Sequence, residues 1–151
     1  MANAPLELLL ESLAEVLETT AFVSLTPSGP EPPRFDRAFI ISIPLGLGCK
    51  IHLAAPREFG AVVAAGMLAL ELGGAEADER AQDALQEIIN VTAGLYLSRA
   101  PWLEGRIPEM DIPTARYVED AGQVTQWIQT VSARVVQAES YPIAVAIEGR
   151  L

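Results

Sequence analysis

Apolar residues recur at three- and four-residue spacings in three stretches of this chain and at alternate positions in several others, so both helices and strands are expected. From Pro5 to Thr19, Leu6, Leu9, Leu10, Leu13, Val16 and Leu17 share one helix face, while Glu7, Glu11, Glu15 and Glu18 lie elsewhere. Thr20 to Leu25 reads as a strand. Thr26-Pro-Ser-Gly-Pro-Glu-Pro-Pro33 reads as a loop, because its four prolines break regular structure. Ala38 to Leu45 and Cys49 to Ala54, separated by Gly46-Leu-Gly48, predict a hairpin. Pro56 opens an alanine-rich helix that Gly73-Gly74 closes. The next helix starts near Asp78, its predicted cap, and runs to about Ser98, with Pro101 barring continuation. Ile107 to Pro113, Thr130 to Ala138 and Tyr141 to Glu148 complete the strands, the last two turning at Glu139-Ser140. No structure is assigned to Arg116 to Ile128. Three helices and about six strands, ending in a hairpin rather than alternating strand with helix, predict an α+β fold with a largely antiparallel sheet.

Composition narrows the classes of function. A chain of 151 residues, 50% hydrophobic, is expected to form one domain spanning residues 1–151 around a full core. Ten Lys and Arg against 20 Asp and Glu leave a net charge of −10, which argues against nucleic acid or an anionic membrane as partner. Cys49 is the only cysteine and His52 the only histidine, so no internal disulfide is possible. A His/Cys metal site or a Ser/His/Asp triad has almost nothing to build on. The two residues alternate with aliphatics as in a strand, and a structural role is expected for both. The longest apolar tract, Phe59 to Leu70, falls short of the roughly 18 residues of a spanning helix and reads as a core helix, with Met67 as filler. With no leader pattern at the start, a cytoplasmic protein without membrane insertion is expected. The sequon Asn90-Val-Thr92 carries no weight in such a chain.

The most informative stretch is Asp83-Ala-Leu-Gln-Glu87-Ile-Ile-Asn90, with Pro113 following after a gap of 22 residues. At about 100° per residue, Asp83, Glu87 and Asn90 fall within roughly a 60° arc of one helix face. Leu85, Ile88, Ile89, Thr92, Leu95 and Tyr96 gather on the other side. A solvated face of an amphipathic helix would look the same. The whole pattern says more. Asp-x-x-x-Glu-x-x-Asn, 22 residues and Pro resembles the active-site signature of the CheC/CheX/FliY chemotaxis phosphatases, whose first position is Asp or Ser. Members of that family often carry two copies; this chain has one, which points to the CheX-like branch.

The resemblance implies hydrolysis of the aspartyl phosphate on a CheY-like response regulator, in chemotaxis or related two-component signalling. It implies that Glu87 pairs with the regulator's active-site lysine while Asn90 inserts beside the phosphoaspartate. Mg²⁺ then belongs to the partner, and this chain binds no metal or cofactor of its own. It also implies a homodimer joined through its sheets. The chemistry suits the residues. An acyl phosphate has a good leaving group, so the barrier lies in aligning water with phosphorus and steadying charge on the phosphoryl oxygens. Asn90 offers an acceptor for the water and a donor for a phosphoryl oxygen on one short stem.

Asp83 and Gly94 belong with the partner-facing positions. Because the signature accepts Ser at the first position, Asp83 suggests a short polar contact rather than chemistry. Gly94 lies one turn past Asn90 on the same face, where a glycine costs about 1 kcal/mol relative to Ala. Either tight packing or close approach of a partner's loop accounts for it. Pro113 is expected to end or stiffen a strand. A second reading keeps the fold but not the catalysis: a non-catalytic adaptor that binds a response regulator or a flagellar-switch protein. A third makes the signature coincidental, in an unrelated sensory module.

Overall fold

The computed structural model of the protein describes residues 4–27, 35–46, 48–106 and 108–149. Most of the expected loop at 26–33, Leu47 of the hairpin turn and Ile107 lie outside the described residues.

Helix α1, Ala4–Ala21, buries Leu9, Leu13, Val16 and Leu17 along its apolar face. It runs through the start of the predicted strand at Thr20 because its buried face continues one turn past Leu17 to Ala21; the Thr19 and Thr20 hydroxyls donate back to the Glu15 and Val16 carbonyls. Phe22 then turns left-handed (φ 60°), and the Val23 amide reaches back to the Leu17 carbonyl at 3.1 Å, closing the helix end. What remains of the expected strand is β1, Leu25–Pro27. The hairpin is as expected, with β2 at Ala38–Gly46 and β3 at Cys49–Ala55 in antiparallel register, Ile41 opposite Leu53 and Ser42 opposite His52.

Helix α2, Arg57–Leu68, starts after Pro56 but stops earlier than Gly73-Gly74, at a left-handed Ala69. Gly74 instead precedes a short helix α3, Ala75–Glu79, which contains Asp78. Asp78 therefore does not cap the motif helix. That helix, α4, is Ala81–Arg99 and follows Arg80. A 3-10 turn at Pro101–Leu103 ends the run.

No strand occupies 108–113, contrary to expectation. Pro108 and Pro113 withhold two amides there, and among the described residues a single backbone bond, from the Asp111 amide to the Pro44 carbonyl at 3.0 Å, joins the segment to the sheet. The strand lies just beyond it, β4 at Thr114–Val118, pairing with β2. The unassigned region also contains helix α5, Ala121–Thr130, capped by the Asp120 side chain accepting from the Gln123 amide at 3.1 Å. Strand β5 is correspondingly shorter than expected, Arg134–Ala138, and β6 is Tyr141–Glu148.

The six strands form one antiparallel sheet in the order β1-β5-β6-β3-β2-β4. The described fold is thus α+β, with two helices, α3 and α5, beyond the three expected. Alternate residues divide the sheet into two faces. Phe39, Ile41, Ile43, Ile51, Leu53, Ile143 and Val145 join α1, α2 and α4 in the main core. Ala38, Ile40, Ala54 and Ala144 point the other way, towards Val124 on α5. Helix α2 can lie close to the start of α4 because Gly60 has no side chain: a Cβ there would stand 2.9 Å from the Ala81 Cβ. This packing seats α4 on the sheet by its apolar side. The Asp83/Glu87/Asn90 side faces outward.

Candidate functional site

Helix α4 buries Ala84, Leu85, Ile88, Ile89, Thr92, Ala93, Tyr96 and Leu97, the face that the apolar spacing predicts apart from Leu95, which is half-buried. Asp83 and Glu87 are exposed and Asn90 is half-buried. Together with Gln86 they form one side of a groove of about 390 Å³ whose other side is Met110, Asp111, Ile112 and Pro113. The structure therefore brings the helical part of the motif and Pro113, with 22 residues between Asn90 and the proline, to one place. Pro113 immediately precedes β4, so it opens a strand rather than ending one. Its carbonyl accepts a hydrogen bond from Gln86 Nε2 at 3.3 Å.

Among the described residues, the Glu87 carboxylate and the Asn90 carboxamide take part in no hydrogen bond or ion pair. Polar groups left free on a helix face that borders a groove are available to something outside the chain. Asp83 likewise has no polar contact among these residues. At Gly94 a methyl group would meet only the Met110 terminal carbon, at 4.0 Å, an ordinary contact. Tight internal packing therefore does not account for the glycine. A second, smaller depression of about 170 Å³ lies on the other side of the ridge, where Met67 and Leu68 of α2 and Arg80 approach Asp83, Ala84 and Glu87. Leu68, Leu72 and Ile112 are large apolar side chains left exposed, Ile112 most of all at 79%.

Gln86 and the segment 110–112 were not among the residues that the motif singles out. A readable sign of Gln86 is its place one turn before Asn90; the segment carries no sign except its nearness to Pro113.

Cys49 and His52 sit on opposite faces of β3, away from the groove. Burial pushes the Cys49 thiol up to about 11, which keeps it protonated and unreactive. His52 is 6% exposed, between Ser42 on Nδ1 at 2.7 Å and Glu148 on Nε2 at 2.5 Å, with Trp127 edge-on to its ring. A Ser/His/acid row does therefore exist, contrary to expectation, assembled from cross-strand neighbours that satisfy both nitrogens of a buried imidazole. Burial lowers the His52 pKa, while the Glu148 hydrogen bond and charge oppose that shift. No group of three or more His, Cys, Asp or Glu among the described residues is placed to hold a metal ion, and no described helix is long and apolar enough to cross a membrane.

No protein-family model and no curated protein sequence matches the chain. Solved structures do. The chain is similar to the chemotaxis protein CheX from Vibrio vulnificus, with 20% identity and a TM-score of 0.63 over 96% of this chain and 97% of that one. It is similar to the CheX–CheY–BeF3–Mg2+ complex from Borrelia burgdorferi, with 17% identity and a TM-score of 0.64 over 95% and 97%. Thermotoga maritima FliY matches at 15% identity and a TM-score of 0.58 over 91% and 83%. The fold is therefore that shared by CheX and FliY proteins, a six-stranded antiparallel sheet with helices, and it extends over nearly the whole chain. Both CheX matches cover nearly the whole of either chain.

Proposed function

We propose that this chain is a CheX-like member of the CheC/CheX/FliY family and a phosphatase that accelerates hydrolysis of the aspartyl phosphate on a CheY-like response regulator. One observation carries the reading. Glu87 and Asn90 stand side by side, without partners of their own, on the groove that Pro113 closes, within a fold that the CheX part of a CheX–CheY complex also has. In this reading Glu87 docks on the regulator's active-site lysine. Asn90 holds the attacking water through its oxygen and faces a phosphoryl oxygen through its nitrogen. Asp83 and Gly94 border the approach. Mg²⁺ stays with the regulator, and this chain contributes no cofactor. The protein acts in the cytoplasm, where the regulator is. Two copies pair through their sheets; β1 and β4 are the edge strands open to such pairing.

The test is the decay of phosphate on a CheY-like regulator from the same cell at fixed Mg²⁺. Asn90→Ala should lose roughly 2 to 3 kcal/mol of transition-state stabilisation, about a hundredfold in rate, while binding survives. Glu87→Ala should weaken docking as well. Undiminished dephosphorylation by Asn90→Ala would sink the assignment of Asn90. Binding by the native chain without faster decay would favour the adaptor reading.

A further inference from the structure

The groove has a built wall as well as a helix face. Residues 110–113 run antiparallel to α4, with Pro113 against Gln86 and Met110 against Gly94. Asn90 lies midway between these two points of contact. The wall belongs to no strand and Ile112 at its crest is 79% exposed, so apart from Met110, which packs on the main core, little apolar contact holds it. Its fastenings are few: the Asp111 amide bonded to the Pro44 carbonyl at 3.0 Å, the Ile112 amide bonded to Asp111 Oδ1 at 2.7 Å, and the Gln86 carboxamide on the Pro113 carbonyl. The first two tie the wall to the sheet and to itself. Gln86 alone among these bonds spans the groove. Proline at 113 suits this arrangement, since it has no amide to satisfy and biases Ile112 towards an extended backbone.

We propose that Gln86 is a positioning residue: its carboxamide pins the 110–113 wall to α4 and so fixes the width of the cleft over Asn90 before a partner arrives. The functional half of this proposal rests on the phosphatase reading. A wall already in place need not be ordered on docking, so the bond acts on capture of the regulator rather than on the hydrolytic step. Gln86 touches neither phosphate nor water.

The experiment compares the native chain with Gln86→Met, which keeps the shape without the donor, and Gln86→Lys, which restores a donor. In the isolated chain, exchange of the Asp111 amide measured by NMR should quicken several-fold in Gln86→Met and recover in Gln86→Lys, with no more than a small fall in the unfolding midpoint. In the phosphate-decay assay, Gln86→Met should raise KM roughly three- to tenfold, the size expected of one hydrogen bond, with kcat within about twofold of the native value. Unchanged Asp111 exchange in Gln86→Met would overturn the pin, whatever the activity. Faster exchange with an unchanged KM would overturn its role in capture while leaving the phosphatase reading intact. No acceleration by the native chain itself would overturn the phosphatase reading and the capture role together, whereas the exchange result would still decide the pin.

Discussion

Replacing Gly94 with alanine should make the protein more stable and less active. A glycine inside a helix costs about 0.8 to 1 kcal/mol relative to alanine, from backbone entropy. Gly94 lies well inside α4, five residues from its end at Arg99. The added methyl would meet only the end of the flexible Met110 side chain, at 4.0 Å, so no clash offsets the gain. Stability should rise by roughly 0.5 to 1 kcal/mol. With a urea slope of about 2 kcal/mol per molar, the midpoint moves up by about 0.25 to 0.5 M. The same methyl stands on the face that carries Glu87 and Asn90, where the proposed partner loop approaches, so kcat/KM for regulator dephosphorylation should fall. Equilibrium urea unfolding and phosphate-decay kinetics on the one variant read both signs. A lower midpoint would show that Gly94 serves internal packing after all. A raised midpoint with undiminished kcat/KM would show that no partner approaches at this turn of the helix.

Two further substitutions test the frame around the site. Gly60→Ala puts a Cβ 2.9 Å from the Ala81 Cβ and 3.0 Å from the Ala81 carbonyl, so α2 must move off the first turn of α4. Such overpacking costs about 1 to 3 kcal/mol, more than helix propensity returns, and urea unfolding should show a net loss; a gain would mean that α2 and α4 do not meet so closely. The buried His52 has a pKa below its usual 6.5, so the unfolded chain binds more protons than the folded one in the window beneath that value. Its contribution is present above pH 6.5 and is lost as pH falls through that window towards the folded pKa, with a slope of at most about 1.4 kcal/mol per pH unit. Unfolding free energies between pH 7.5 and 5.5 should flatten in His52→Gln; an unchanged slope would exclude His52 as the source.

The periodic parts of the fold were legible: α1, the β2–β3 hairpin, the body of α4 and β6 all have long, consistent apolar spacing. Boundaries failed where packing outvoted propensity. The β-prone Thr19 and Thr20 stayed helical because the buried stripe of α1 continues from Leu17 to Ala21. Helix α2 ended at Ala69, in a left-handed conformation that alanine seldom adopts, although two glycines lay a few residues on. Strand β4 and helix α5 were missed because each is short and only partly buried, with Val118 and Val124 as their buried anchors. A readable sign of α5 was present in Asp120 followed by Gln123, the cap and third-turn-position pair of a helix start. In the candidate site, the pattern that resembles the family signature singles out Glu87, Asn90 and Pro113, and the structure brings these three to one groove. Gln86 is marked only by its place one turn before Asn90, which does not indicate the carbonyl it meets.

The length of the gap has a mechanical explanation. Nine of the 22 residues after Asn90 complete α4 as far as Arg99, carrying the chain roughly 13 Å away from the site. Residues 100–105 reverse it, through the 3-10 turn and left-handed backbone at Glu104 and Gly105. Seven more residues lead to Pro113, which lies beside Gln86, thirteen helical positions or about 20 Å back from Arg99. Eight residue steps from Gly105 span at most about 26 to 29 Å, which is enough to cover that distance. Residues 108–113 read as a strand in sequence and form none in the structure. A return of this length can bring Pro113 back to the turn of helix that precedes Asn90, and its carbonyl meets Gln86 there.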